Sequence, residues 1–346
     1  GAWSEAVLAV AKHAKRRSVL TGTPFPRVYA DAFNLFDVLW PEESPISNEQ
    51  RHQIERCTQR KDFGLAAETL TAAIGPLFYR DRKADLNLAP QVFHEPIRVT
   101  MNQYERLVYD SIIERVQYVS QSDFFRDFEL LVRLRCGRMV RLRQCISYTA
   151  LLASAVNEYN EELVDDPSVA DIIRHYDELE VPAKLETLLG IVAPLRSAGS
   201  KVVVWSNFVR TLHMISDSLR QDGHGVEVIF GGTPFERSTL NDETSREEII
   251  RRFTELDGGT DVLVANPAAC AESISLHKAC SHAVYYDLSY NCAQYLQSLD
   301  RIHRVGGSES VSAHYYILQY EDTLDQDVLE NLRNKSNSMS AVIDQD

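Results

Sequence analysis

The spacing of hydrophobic residues changes repeatedly along the C-terminal part of the chain. From about residue 183 to residue 335, short β-branched runs alternate with stretches whose apolar residues recur at helical spacing. This alternation is typical of a parallel sheet with helices on its faces. It predicts one α/β domain whose strands cover residues 202–205, 226–230, 261–265, 283–286 and 313–318.

The preceding region, residues 42–180, has a different pattern. Long helical patterns cover residues 102–116 and 124–145, and strand signals are few. The second pattern holds a basic run with two acids between residues 124 and 145, and the run consists of Arg133, Arg135, Arg138, Arg141 and Arg143. Such a run is by default a solvated helix face, and the alternative is contact with a phosphate backbone.

Length and charge narrow the class of protein. The 346 residues predict two or three domains. The net charge of −14 argues against a protein that coats nucleic acid with a uniformly basic surface. Any nucleic-acid binding must therefore use a local positive patch. The sequence has no apolar run of membrane length and no leader pattern, and its six cysteines lack framework spacing. We expect a cytoplasmic protein that does not contact a membrane.

Cysteines and histidines cluster near the last strands. The cluster consists of Cys270, His277, Cys280, His282 and Cys292. Its spacing, C-x6-H-x2-C-x-H, matches no recognised zinc site, so we expect no metal there.

Two arginines near the C-terminus share a predicted helix face. On a helical period Gln297, Arg301 and Arg304 lie on one stripe, and Gly306 and the next glycine would end the helix just after it. An isolated pair of this kind is usually a solvated surface feature. Two guanidinium forks on a rigid element also suit the charge of a phosphoryl group in its transition state.

Seven short segments follow one another along the chain, at residues 18–24, 76–83, 142–145 (Leu-Arg-Gln-Cys), 201–208, 229–233, 262–276 and 294–307. In this order they resemble motif III, the linker between lobes, an element of the helical insertion, motif IV, a glycine turn, motif V and motif VI of Swi/Snf-type superfamily 2 helicases. The motif V segment looks closer to the bacterial branches of that family.

The resemblance implies a domain plan. Residues 1–41 would end a first RecA-like lobe, 42–180 would form the linker and an α-helical insertion, 181–335 would form a second RecA-like lobe, and 336–346 a tail. The resemblance begins between motifs II and III, and the sequence contains no G-x-x-x-x-G-K-[ST] phosphate loop. The chain therefore looks like the C-terminal part of a longer protein, whose first lobe would bind most of the ATP and Mg2+.

The resemblance also implies an activity, ATP-driven movement along double-stranded DNA, with the partner surfaces being DNA and the first lobe. Arg301 and Arg304 would reach the γ-phosphate as arginine fingers, while Gln297 and Asp300 would orient the helix and sense the nucleotide state. We expect Gly22, Thr23 and Asp287 near the nucleotide, although Asp287 has a turn or cap role as an equal alternative. The residues expected to hold the DNA are Ser206, Asn207, Gly232, Thr233, Asn266, Arg138, Arg141 and Arg143.

Two segments depart from the family pattern. Residues 266–273 lack the usual Ser/Thr-Arg and glycine-rich turn of motif V, and Gly307 stands where motif VI ends in Gln.

Two other functions stay open. One is a non-catalytic DNA-binding or scaffold module of a degenerate helicase, and the other is an RNA-directed superfamily 2 helicase.

Overall fold

The computed structural model describes residues 2–21, 28–60, 62–77, 86–121, 128–153, 167–234, 244–255, 259–270 and 274–343. The chain forms two compact units. The first unit consists of Gly1–Asn87, Tyr290–Gln297 and Glu330–Asp346; the second, the sheet unit, consists of Leu88–Ser289 and Ser298–Leu329. The segment boundaries expected at residues 41 and 180 stay a prediction.

The first unit begins with four helices, α1 (Ala2–Ala11), α2 (Asp31–Leu39), α3 (Asn48–Gln59) and α4 (Phe63–Ile74). The Ser47 side chain caps α3, and the apolar faces of α2 to α4 share one core around Phe36, Ile54 and Leu70. Residues 18–21, the described part of the segment that resembles motif III, form no strand, and Leu20 is 96% exposed. An isolated extended segment has no neighbour to satisfy its backbone groups.

The sheet unit is built on a parallel sheet of seven strands. The strands are β1 (Gln91–Phe93), β2 (Ile97–Val99), β3 (Lys201–Trp205), β4 (Val226–Ile229), β5 (Val262–Ala265), β6 (Cys280–Tyr285) and β7 (Ala313–Tyr320). Their order is β1-β7-β6-β3-β5-β4, and β2 also pairs with β7. All the pairings are parallel.

The central strands are buried on both faces, which explains their unbroken apolar runs. In β3 and β5 every residue from Val202 to Trp205 and from Val262 to Ala265 is at most 1% exposed. All five predicted strands are confirmed within a few residues at their ends. The sequence missed β1 and β2, which have three residues each and present no readable alternation.

The remaining helices are α5 (Gln103–Gln121), α6 (Phe128–Ser147), α7 (Pro167–Arg174), α8 (Tyr176–Leu179), α9 (Ala183–Ser197), α10 (Val209–Gln221), α11 (Arg246–Thr254), α12 (Pro267–Cys270), α13 (Cys292–Leu299) and α14 (Leu324–Ile343). A 3-10 helix, Thr149–Ala153, follows α6. The predicted α/β fold with a parallel-sheet lobe and a helical insertion is confirmed. None of the helices, as far as the described residues show, is both long and apolar enough to cross a membrane.

Hydrogen bonds join the start of α5 to the chain that leaves β7. The Tyr320 hydroxyl donates to Glu105, Arg106 Nη2 donates to the Glu321 carbonyl at 2.8 Å, and the amide of Leu324 donates to the Tyr109 hydroxyl at 2.9 Å. Glu105 is 2% exposed, and this burial raises the pKa of its carboxyl group. The helical insertion is thereby fixed to the sheet.

Candidate nucleic-acid and nucleotide interface

The carboxyl ends of three neighbouring strands, β6, β3 and β5, lie side by side at one edge of the sheet. The amide of Ser206, just after β3, donates to the Ala265 carbonyl at 3.1 Å, and the amide of Tyr286, just after β6, donates to the Trp205 carbonyl at 3.0 Å. Asn266 follows β5 directly. This edge is where open α/β sheets bind ligands.

Asp287 is the centre of a hydrogen-bond network at this edge. One carboxylate oxygen accepts from the hydroxyls of Ser206 and Ser147, the latter at 2.8 Å. The other accepts from the backbone amide and the side-chain amide of Asn207 at 2.9 and 2.8 Å. The residue is 3% exposed. Its oxygens accept from protein donors, which agrees with a structural role, and the placement of Asp287 near the nucleotide stays a prediction.

The predicted DNA contacts at this edge differ in accessibility. Ser206 is 0% exposed and its hydroxyl donates to Asp287, and its contact with DNA stays a prediction. Asn207 and Asn266 are partly exposed. They are joined by a 2.9 Å bond from Asn266 Nδ2 to the Asn207 carbonyl, and Asn266 Oδ1 accepts from the amide of Ala268 in α12. The two asparagines therefore form one fixed surface.

A glycine turn follows β4. Gly231 and Gly232 are exposed, whereas Thr233 is 8% exposed and its hydroxyl accepts from the Phe230 amide at 3.1 Å. The Thr233 side chain therefore closes the turn, and its contact with DNA stays a prediction. Beneath the turn lies the guanidinium of Arg246, which donates to the Thr233 carbonyl at 2.9 Å.

Of the basic run in α6, the structure describes the side chains of Arg138, Arg141 and Arg143. Arg138 is 9% exposed and donates to the Arg115 carbonyl at 3.4 Å, and its contact with DNA stays a prediction. Arg141 is half-buried, and burial lowers its pKa. Arg143 reaches the edge described above, with its guanidinium 5.5 Å from the Phe208 ring and Nη2 3.4 Å from the Leu288 carbonyl.

The arginine pair lies beyond its predicted helix. Helix α13 ends at Leu299, so the prediction that it continues to Gly306 is wrong. The Arg301 carbonyl accepts from the amide of Leu276 at 2.9 Å, a long-range bond that replaces continuation of the helix. Gln297 is half-buried within α13, and Asp300, just beyond it, is exposed.

Both arginines contact residues 274–275, near the end of the segment that resembles motif V. Arg301 is half-buried and its Nη1 donates to the Ile274 carbonyl at 3.0 Å. Burial lowers the pKa of Arg301. Arg304 is exposed and its Nη1 donates to the Ser275 hydroxyl at 3.3 Å. Arg301 is thus held by the fold, and Arg304 presents its side chain to solvent.

A close backbone approach explains the glycine at the end of this segment. A Cβ on Gly307 would lie 2.8 Å from the His277 carbonyl oxygen, so a glutamine there requires a backbone shift. Gly306 has a φ of +92°, which also favours glycine. The departure from the family pattern at residue 307 therefore fits the local packing.

Two expected nucleotide contacts, Gly22 and Thr23, lie outside the described residues. Among the residues that are described, no group of three His, Cys, Asp or Glu side chains is arranged to hold a metal ion. Burial raises the pKa of Cys270 and of Cys280 to about 12, which favours their neutral thiols.

The sequence analysis did not identify Arg246 or Ser147 as site residues. Arg246 could have been noticed because it is the first residue of α11, where a positive charge is unfavourable next to the N-terminal end of the helix dipole. Ser147 ends α6 and carries no comparable signal.

Comparison with known proteins shows similarity to helicases. A helicase conserved C-terminal domain matches residues 183–306. Human chromodomain-helicase-DNA-binding protein 8 is 26% identical over 88% of this chain, and the uncharacterized ATP-dependent helicase YqhH of Bacillus subtilis is 23% identical over 94%. The match spans 11% of the human protein and 54% of YqhH. The solved C-terminal part of the Fun30 ATPase domain has a similar fold, with a TM-score of 0.50, 15% identity, and coverage of 74% of this chain and 98% of that one.

Proposed function

Since this chain belongs to the Swi/Snf-type superfamily 2 helicases as their C-terminal part, we propose that it supplies the second lobe of a motor that uses ATP to move along double-stranded DNA. Helicases and ATPases are the general kind of enzyme to which its relatives belong. The chain covers a small share of the human relative and about half of YqhH, so the activity proposed is that of the whole protein.

The arrangement of Arg301 and Arg304 carries the proposal. Both side chains meet the segment at residues 274–275, one anchored to a carbonyl and the other exposed. In our proposal ATP and Mg2+ bind between the lobes, with phosphate and Mg2+ ligands supplied mainly by the first lobe. Arg304 then donates to the γ-phosphate as its charge spreads in the transition state, while Arg301 holds the segment in place.

DNA would contact the edge formed by Asn207, Asn266 and the glycine turn. These groups are accessible, and Arg143 adds a positive charge beside them. Contacts at this edge would fall mainly on phosphates, because small polar groups and backbone amides reach phosphate oxygens without reading bases. The local charge matters because the chain as a whole carries −14.

The test is Arg304→Ala in the intact protein. We expect ATP turnover to fall by about a thousandfold while ATP affinity changes a few fold. The reason is that the Arg304 guanidinium binds charge that develops mainly in the transition state. Arg304→Lys should recover little of the loss, since a point charge does not reproduce the fork.

The control is Arg174→Ala, which removes an exposed arginine paired with Asp171. It should leave turnover unchanged. Near-normal DNA-stimulated turnover in Arg304→Ala would refute the arginine-finger role. Competition between duplex DNA and duplex RNA distinguishes the DNA motor from an RNA-directed helicase, and absence of any ATP turnover in the intact protein would favour the scaffold alternative.

A further inference from the structure

Arg246 is a buried arginine that bonds to two separate turns at the carboxyl edge of the sheet. It is 7% exposed, and it starts α11, directly after the N-cap Ser245. Nε donates to the Thr233 carbonyl at 2.9 Å, and Nη1 donates to the Ala269 carbonyl at 2.9 Å. Nη2 reaches the Phe230 carbonyl at 3.3 Å.

These carbonyls belong to segments that are distant in sequence. Phe230 and Thr233 lie in the glycine turn after β4, and Ala269 lies in α12, which follows Asn266 and β5. A planar guanidinium holds its donors in a fixed fork, so it sets the separation of the two turns as well as bonding to each. An ammonium group offers its donors from one point and cannot span both.

The position of the charge has an electrostatic consequence. The guanidinium lies beneath Gly231 and Gly232, which are exposed, and a buried positive charge is screened by solvent less than a surface one. An anion resting on the glycine turn would therefore be attracted to a cation that it does not touch.

We infer that Arg246 is a positioning residue for nucleic-acid phosphate, one that holds the glycine turn and the start of α12 at the spacing that a phosphate backbone meets. This inference rests on the proposed function, because it assigns DNA to this edge. The positioning itself is testable without DNA.

The first experiment measures amide hydrogen exchange in the intact protein carrying Arg246→Lys. We expect exchange about tenfold faster at Thr233 and Cys270, whose amides bond to the Phe230 and Asn266 carbonyls, with β6 unchanged. The control is Arg252→Lys on the same helix, where the arginine is bonded instead to Glu227 and Glu248. Wild-type protection at both turns, or faster exchange across the whole sheet, would overturn the inference.

The second experiment measures binding to a fluorescent mixed-sequence DNA duplex over a range of salt concentrations. Arg246→Lys should bind about tenfold more weakly with a nearly unchanged salt slope, because the charge is kept and only the spacing of the two turns is lost, and Arg252→Lys should change neither. Absence of salt-dependent binding by the wild-type protein would refute the proposed function, and the exchange experiment would then decide the role of Arg246. Salt-dependent wild-type binding together with wild-type affinity in Arg246→Lys would overturn the inference itself.

Discussion

Asp287→Asn is the substitution that tests the edge network most directly. The new side chain has nearly the same shape, so packing is preserved, but one carboxylate oxygen becomes an amide nitrogen. In the wild type both oxygens accept hydrogen bonds, from Ser206 and Ser147 on one side and from Asn207 on the other. The NH2 group faces either the two N–H donors of Asn207, which cannot accept, or the two serine hydroxyls, which can accept only by turning away from their present arrangement.

The expected loss follows from these contacts. In either orientation the carboxylate charge is lost, and the two bonds at the new nitrogen are broken or become neutral bonds that require the serine hydroxyls to turn. A hydrogen bond to a charged group contributes about 1.5–3 kcal/mol, so the substitution should lower the free energy of unfolding of the sheet unit by about 3–6 kcal/mol. That is a large share of the roughly 5–15 kcal/mol that stabilises a domain.

Trp205 reports on this region because it is 0% exposed at the end of β3. The chain contains three tryptophans, so Trp3→Phe and Trp40→Phe leave Trp205 as the single emitter. Urea unfolding followed by its fluorescence gives the stability of the sheet unit. The matched control is Asp217→Asn, whose carboxylate is 66% exposed and should cost at most about 0.5 kcal/mol.

A loss below about 1 kcal/mol in Asp287→Asn, or one no larger than that of the control, would refute the reasoning. Either result would mean that the hydrogen bonds at the strand ends do not fix this edge.

Two further predictions concern the stability of the sheet unit. Burial, together with two neighbouring histidines, lowers the pKa of His282 to about 4, so the unfolded chain takes up this proton first and stability is lost as pH falls from about 6.5 to about 4. His282→Gln should flatten this part of the pH profile by about 1–2 kcal/mol after allowance for solvent screening, and an unchanged slope in urea unfolding would contradict it. Gly225→Ala should destabilise by about 3 kcal/mol because its Cβ would lie 1.7 Å from the Gly259 carbonyl oxygen, whereas Gly190→Ala in α9 meets no atom within 4 Å and should not; equal melting temperatures for the two variants would be inconsistent with this.

The sequence was sufficient for the centre of the fold because the central strands are buried on both faces. Their apolar runs and the helical patterns between them identified the parallel sheet. Short edge strands such as β1, which has three residues, provide too few positions for a pattern. The end of α13 was mispredicted because a long-range bond between Leu276 and Arg301 decides it.

The candidate site was predictable in position more than in detail. Asp287 could be placed at the strand edge from the sequence, but one of its partners, Ser147, is 140 positions away, and no local pattern connects them. Arg246 was marked by an unfavourable charge at a helix start, a signal that gains meaning once its carbonyl partners are known. Burial of Arg138 depends on tertiary packing, which a run of arginines does not reveal.

The bonds between α5 and the end of β7 also have a mechanical consequence. They involve Glu105, Arg106 and Tyr109, which occupy little more than one helical turn, and they meet consecutive parts of residues 320–324. A force pulling along α5 would load these bonds together instead of one after another, as in shearing rather than unzipping. A displacement of α5 should then be transmitted directly to β7. The connection between them should break only when all of these hydrogen bonds break together.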